Sequence, residues 1–230
     1  MKRVAIMQPY FLPYIGYFQL IQKVDKFVIY DDVQFTKKGW INRNSVPSKD
    51  GIWKFTVACD SSSETSKIFE KRISNEFKRE KFLSRIRSEY RNSFNQETQG
   101  AKLVERIIDY PDNNLFNYIS NSIVEISNYL NIPAARFLIS SEIGDFTNLK
   151  SQEKVIGLCR ALEATHYLNP ISGSHLYQAD AFIEKGVTLE FFEPTFEIES
   201  TSIFSVIDSI LRLSQEKVIE ISKLGNILTP

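Results

Sequence analysis

Two cysteines, two histidines, nine glycines and a formal net charge of zero are what 230 residues offer, and each shortage removes a class of protein. Cys59 and Cys159 are too few for a disulfide framework and read as packed thiols. No Cys/His spacing suits zinc, and no nucleophile elbow of the serine hydrolases is present. With 28 basic residues against 28 acidic ones, nothing predicts a nucleic-acid partner. No apolar run approaches the ~20 residues of a membrane span. The first apolar run, Val4-Ala5-Ile6-Met7, is cut off by Gln8-Pro9, too soon for the core of a secretory signal. A cytoplasmic protein with chain enough for a sizeable core is expected.

What is present has a clear order. Residues 4–7 read as a buried strand, 15–21 as a short helix and 27–30 as a second strand. A strand–helix–strand unit of this length needs a crossover, so the two strands should be parallel. Residues 52–57 alternate and predict another strand. Between about 74 and 130 the pattern is helical: Phe77, Phe82, Ile86 and Tyr90 recur at helical spacing among charges, as do Ile119, Ile123, Ile126 and Leu130 after the break at Pro111. Strands are expected again at 137–139, 167–168 and 187–192, with helices at 152–162, 177–184 and 202–224. This order predicts an α/β fold, a mostly parallel Rossmann-like sheet flanked by helices with a helical insertion in its middle. No Pro-, Gly- or Ser-rich linker divides the chain. Residues 1–230 are therefore expected to form a single α/β domain, with about 74–130 a helical subdomain. The apolar faces of the middle helices could support a homodimer.

Ligands of open parallel sheets sit at the carboxyl ends of strands, where Gln8 and the Asp31-Asp32 pair fall. The Gln8 amide could satisfy neighbouring backbone or orient a substrate, with Tyr10 beside it. Gly16, flanked by Tyr14 and Tyr17, suggests a close approach by a ligand or by a neighbouring strand. The helix start there could hold a phosphate. After the second strand come Asp31, Asp32, Gln34, Lys37, Lys38, Trp40, Asn42 and Arg43, denser in chemistry than a solvated loop requires. A carboxylate here could take a proton from an amine nucleophile or hold a metal ion. Lys37, Lys38 and Arg43 could pair with phosphates, and Trp40 could stack on a sugar or a base. A third cluster, Ser172-Gly173-Ser174-His175 with Tyr177, follows the 167–168 strand; it suits an anion site or an ordinary helix cap.

These residues carry a resemblance. The run 8–18, Gln-Pro-Tyr-Phe-Leu-Pro-Tyr-Ile-Gly-Tyr-Phe, with Asp31-Asp32-Val33-Gln34-Phe35 and Gly39-Trp40-Ile41-Asn42-Arg43-Asn44, resembles the WbqC family. Ser172-Gly173, Tyr177, 182–186 and 205–210 fit its C-terminal half. The segment after Gly173 is poorer in glycine than the family pattern, and the family's closing Asn-Gly has no counterpart after Leu211. The resemblance implies a place in bacterial surface-polysaccharide (O-antigen, lipopolysaccharide) pathways. It implies N-acylation of a nucleotide-linked amino sugar, with an amino acid such as glycine as one candidate donor. Alternatives are a non-catalytic sugar-nucleotide-binding protein and a metal-dependent glycosyltransferase using Asp31 and Asp32. The opening unit is also similar to nucleotidylyltransferase-like enzymes such as pantothenate synthetase. Tyr14 and Tyr17 stand where those enzymes carry two histidines. That likeness leaves ATP with magnesium as a candidate cofactor and implies a shared fold more than a shared chemistry.

Overall fold

The computed structural model describes residues 1–63, 65–196 and 204–229. The chain opens with β1 (Arg3–Met7), α1 (Ile15–Gln22) and β2 (Lys26–Ile29), followed by a hairpin of β3 (Arg43–Ser48) and β4 (Gly51–Thr56). The helical middle comprises α2 (Arg79–Glu89), α3 (Arg91–Asn95), α4 (Gln99–Ile108) and α5 (Leu115–Tyr129). Then come β5 (Phe137–Ile139), α6 (Ser140–Ile143), α7 (Ser151–Ala161), β6 (His166–Pro170), α8 (Ala179–Ile183) and β7 (Thr188–Glu193). α9 (Val206–Arg212), α10 (Gln215–Ser222) and β8 (Asn226–Leu228) follow.

The central sheet has the order β5-β2-β1-β6-β7-β8, and every pairing is parallel except β7 with β8. β1 is the middle strand because Val4, Ala5 and Ile6 are apolar on both sides, as a strand covered on both faces must be. Ala5 joins the core on one face with α1, the helical middle, α9 and α10; Val4 and Ile6 join the core on the other with α7 and α8. Gln19, fully buried on α1, fastens the first face: its amide donates to the carbonyls of Thr195 (2.7 Å) and Ile221 (2.9 Å) and accepts the Thr195 N–H (3.2 Å). Asn114 and Thr98 accept first-turn N–H groups of α5 and α4, stopping two helices of the middle from running together. Among the described residues no helix is long and apolar enough to cross a membrane.

Three expectations change. The closing helix of 202–224 is two helices: Leu213 is extended (φ −112°, ψ 164°), and Ser214 starts α10 by accepting the Lys217 N–H at 3.3 Å. Residues 202 and 203 of that expectation lie outside the described residues. Arg43 and Asn44, expected in a loop, begin β3; Pro47 is tolerated there because the hairpin is only two strands wide. The helix expected over 177–184 shortens to α8, since 171–176 winds into a 3-10 turn first.

Candidate functional site

The order of strands reverses between β1 and β6, and there the crevice of an open parallel sheet opens at the carboxyl edge. β1 leaves the sheet through Gln8, β2 through Tyr30-Asp31-Asp32, β5 through Ser140-Ser141 and β6 through Ile171. The exits of β2 and β5 are joined by a buried polar network. Ser140 Oγ lies 2.7 Å from both Asp31 Oδ1 and Asp32 Oδ1, so its one hydrogen serves two carboxylates, and it accepts the Asp31 N–H at 3.1 Å. Asp31 also accepts from the Ser141 N–H (3.0 Å) and the Ser141 hydroxyl (2.7 Å). Asp32 Oδ2 pairs with Lys154 Nζ of α7 at 2.5 Å, and that ammonium lies 5.1 Å from the centre of the Tyr30 ring. Asp31 is 2% exposed and Asp32 8%, with Lys154 equally buried, so the pair meets in a medium where charge interactions are strong. Burial, then the charge of Asp32 and the neighbouring Tyr177, push the Tyr30 phenol well above its ordinary range.

The network tells the two aspartates apart. A carboxylate has about four lone-pair positions. Three donors reach Asp31, which therefore acts as a clamp between the β2 and β5 exits. Two donors reach Asp32, one of them a cation, leaving acceptor capacity beside a group that offsets its charge. Among the described residues no three His, Cys, Asp or Glu side chains group as metal ligands.

The exit of β1 is built differently. Leu12, fully buried, has φ +49°, a conformation that costs a branched side chain about 1–3 kcal/mol. Its carbonyl accepts from Asn44 Nδ2 (2.6 Å) and Ser205 Oγ (2.7 Å), the Phe11 N–H donates to Ile41 O (2.8 Å), and the Val206 N–H donates to Pro13 O (2.9 Å). The Gly39–Asn44 motif is thus largely a brace for the Gln8–Tyr14 loop. Asn42 is buried and donates to Val57 O at 2.8 Å, and Arg43 turns its guanidinium onto the Lys37 carbonyl; these contacts tie both side chains to the scaffold.

Tyr17 is also held within the scaffold. It is 2% exposed, its hydroxyl donates to Gln8 O (3.0 Å), and burial holds its phenol well above the ordinary range. Gly16 is a glycine because a Cβ would collide with the Tyr14 ring and meet Pro194, so the close approach is made by the protein itself. Tyr10 is half-buried with its ring 5.7 Å from that of Tyr17. Gln8 is half-buried, and its side-chain amide has no hydrogen-bond partner among the described residues. Gln34, Lys37, Lys38 and Trp40 line an exposed loop, Trp40 at 59%. Gln34 bridges to Lys67 in antiparallel fashion.

At the β6 exit, Ser172, Gly173, Ser174 and His175 lie in the 3-10 turn, with Ser172 and His175 exposed. A Cβ on Gly173 would stand 2.6 Å from Asn169 Nδ2. Tyr177 is half-buried, its hydroxyl 3.2 Å from that of Tyr167, which lies 3.2 Å from Asn169 Oδ1. Lys154, Ser140, Ser141 and Tyr30 escaped the sequence reading as site residues. Lys154 left a signal, because it stands in line with Leu158 on the apolar side of α7. Burial raises the Cys59 thiol to about 11 and the Cys159 thiol to about 12, in keeping with packed, unreactive thiols.

A mostly parallel α/β sheet with a polar carboxyl edge at its switch point defines the class. The chain belongs to the WbqC-like protein family, whose family model matches residues 8–220. It is 51% identical over 57 residues to "Uncharacterized protein Rv1507c" of Mycobacterium tuberculosis (strain ATCC 25618 / H37Rv). That match spans 25% of this chain and 25% of the mycobacterial protein. No solved structure matches the chain.

Proposed function

We propose that this protein forms an amide on a nucleotide-linked amino sugar in surface-polysaccharide synthesis, with Asp32 receiving the amine proton. The observation that supports the reading is the difference between the aspartates: three donors reach Asp31, whereas two reach Asp32, one of them the Lys154 ammonium, so Asp32 keeps more acceptor capacity. The amine nitrogen attacks the carbonyl carbon of an activated acyl donor. The N–C bond forms, the bond to the leaving group breaks with its electron pair, and the nitrogen's proton passes to Asp32 and on to solvent. Lys154 holds the Asp32 carboxylate and offsets its charge before the transfer. Gln8 orients the acyl group or the sugar, Lys38 and Trp40 meet the nucleotide, and Ser172 to Ser174 supply a second polar wall.

The test incubates the protein with a panel of nucleotide-linked amino sugars and acyl donors, with and without ATP and magnesium, and reads products by mass spectrometry. Asp32→Asn should lower kcat by roughly 10²–10⁴-fold with KM changed little. Equal loss in both constants would remove the base assignment. A second reading has its own support: Asp32 is already paired inside the protein, as suits a sugar-nucleotide-binding protein without turnover. Ligand-induced stabilisation with no product from any donor would favour it.

A further inference from the structure

A groove of about 900 Å³ lies away from the strand edge, between the helical middle and the α9–α10 pair, and shares no residue with the candidate site. Ligand sites commonly have volumes of this order. Its walls are fixed. A Cβ on Gly100 of α4 would run into the Ile210 carbonyl, so α4 and α9 are in backbone contact. Gln215 Nε2 donates to Tyr129 O (2.7 Å), tying α10 to the end of α5. Beneath the groove the Tyr90 hydroxyl and Arg212 Nε each donate to Asp208 Oδ1 at 2.7 Å, and the Arg212 guanidinium covers the Tyr90 ring at 5.1 Å. Walls tied together in this way lower the ordering cost of receiving a ligand.

The chemistry of the lining is unlike the surface around it. Elsewhere the helical middle carries ion pairs: Arg87 with Glu105 at 2.7 Å and Arg106 with Glu125 at 3.0 Å. The groove instead gathers uncharged amides and hydroxyls. The exposed side chains of Asn92, Gln96 and Gln99 have no hydrogen-bond partner among the described residues, and Tyr129 shares the groove's lining with them. Of the lining cations Lys49, Arg91 and Arg212, Arg212 pairs with the underlying Asp208 at 2.7 Å, and Glu89 and Glu216 share the lining, so the groove is not uniformly positive, which disfavours a polyanion. Planar amides that both donate and accept, beside an aromatic ring, match vicinal hydroxyls with an apolar sugar face between them.

We propose that this groove binds a neutral, hydroxyl-rich saccharide, separately from the strand-edge site and whether or not the amide-forming reading holds. The experiment applies labelled full-length protein to a printed array of neutral and amino-sugar oligosaccharides, then measures solution affinity for the strongest binder. Asn92→Ala/Gln96→Ala/Gln99→Ala, at exposed positions, should weaken binding about tenfold or more, the loss of one to two net hydrogen bonds. Its melting midpoint serves as the check that it folds, and Gln99→Glu, which keeps the shape, should weaken binding too. No binding to any saccharide overturns the proposal. So does binding that survives the triple variant but is lost in Asp32→Asn, a result that would leave the strand-edge reading standing.

Discussion

The two halves of the sheet's carboxyl edge are supported in opposite ways. On the side of β1, β2 and β5 the exits are locked by buried polar bonds from distant segments: Asn44 and Ser205 onto Leu12, Ser140 and Ser141 onto Asp31, Lys154 onto Asp32. On the side of β6 the exit is a short 3-10 turn, exposed at Ser172 and His175, that packs on both β6 and β7 with Asn169 hydrogen-bonded locally to Pro170 O. The two sides of the crevice therefore differ in how many long-range polar bonds hold them.

The comparison breaks most sharply at Lys154. Lys154→Met leaves Asp32 buried without its cation and should cost about 3–5 kcal/mol, read as a lowered urea midpoint. Combining it with Asp32→Leu should recover much of that loss; a double variant as unstable as the single would mean the pair does not hold this half. Next is Asn44→Ala, which strips a donor from the strained Leu12 carbonyl and the acceptor from the Ser45 N–H, for about 1–3 kcal/mol. Protease nicking within 8–14 should rise with it, and an unchanged cleavage rate would deny Asn44 its bracing role. On the other half, Gly173→Ala should cost about 1 kcal/mol as Asn169 yields, measured by thermal melting. The smallest effect is expected for Ser172→Ala, within about 0.5 kcal/mol in stability. A larger loss there would show that the β6 exit is locked as well.

The parallel β1–α1–β2 unit was legible because short apolar runs, a proline break and helical spacing agree within thirty residues. β8 was not, since Asn226-Ile227-Leu228 acquires strand character only by pairing with β7. The rule that sites gather at carboxyl strand ends placed Gln8, Asp31 and Asp32 at one edge, and applied to 137–139 it points equally at Ser140 and Ser141. What sequence spacing does not carry is partnership: Ser140 meets Asp31 across 109 positions and Lys154 meets Asp32 across 122. Residue type does not show such internal contacts either: Tyr17, Asn42 and Arg43, which the sequence offers as ligand contacts, also reach the backbone carbonyls of Gln8, Val57 and Lys37.

The strand order has a consequence for how the chain is made. β1 finds one neighbour, β2, almost at once, but the other, β6, pairs Arg3 with His166, 163 positions later. At ~5–20 residues per second of synthesis, the middle strand of the sheet waits about ten to thirty seconds with one edge bare. Such distant pairing also slows refolding in vitro. During that interval Val4-Ala5-Ile6, apolar on both faces, presents an unpaired strand edge of the kind that templates association with other chains.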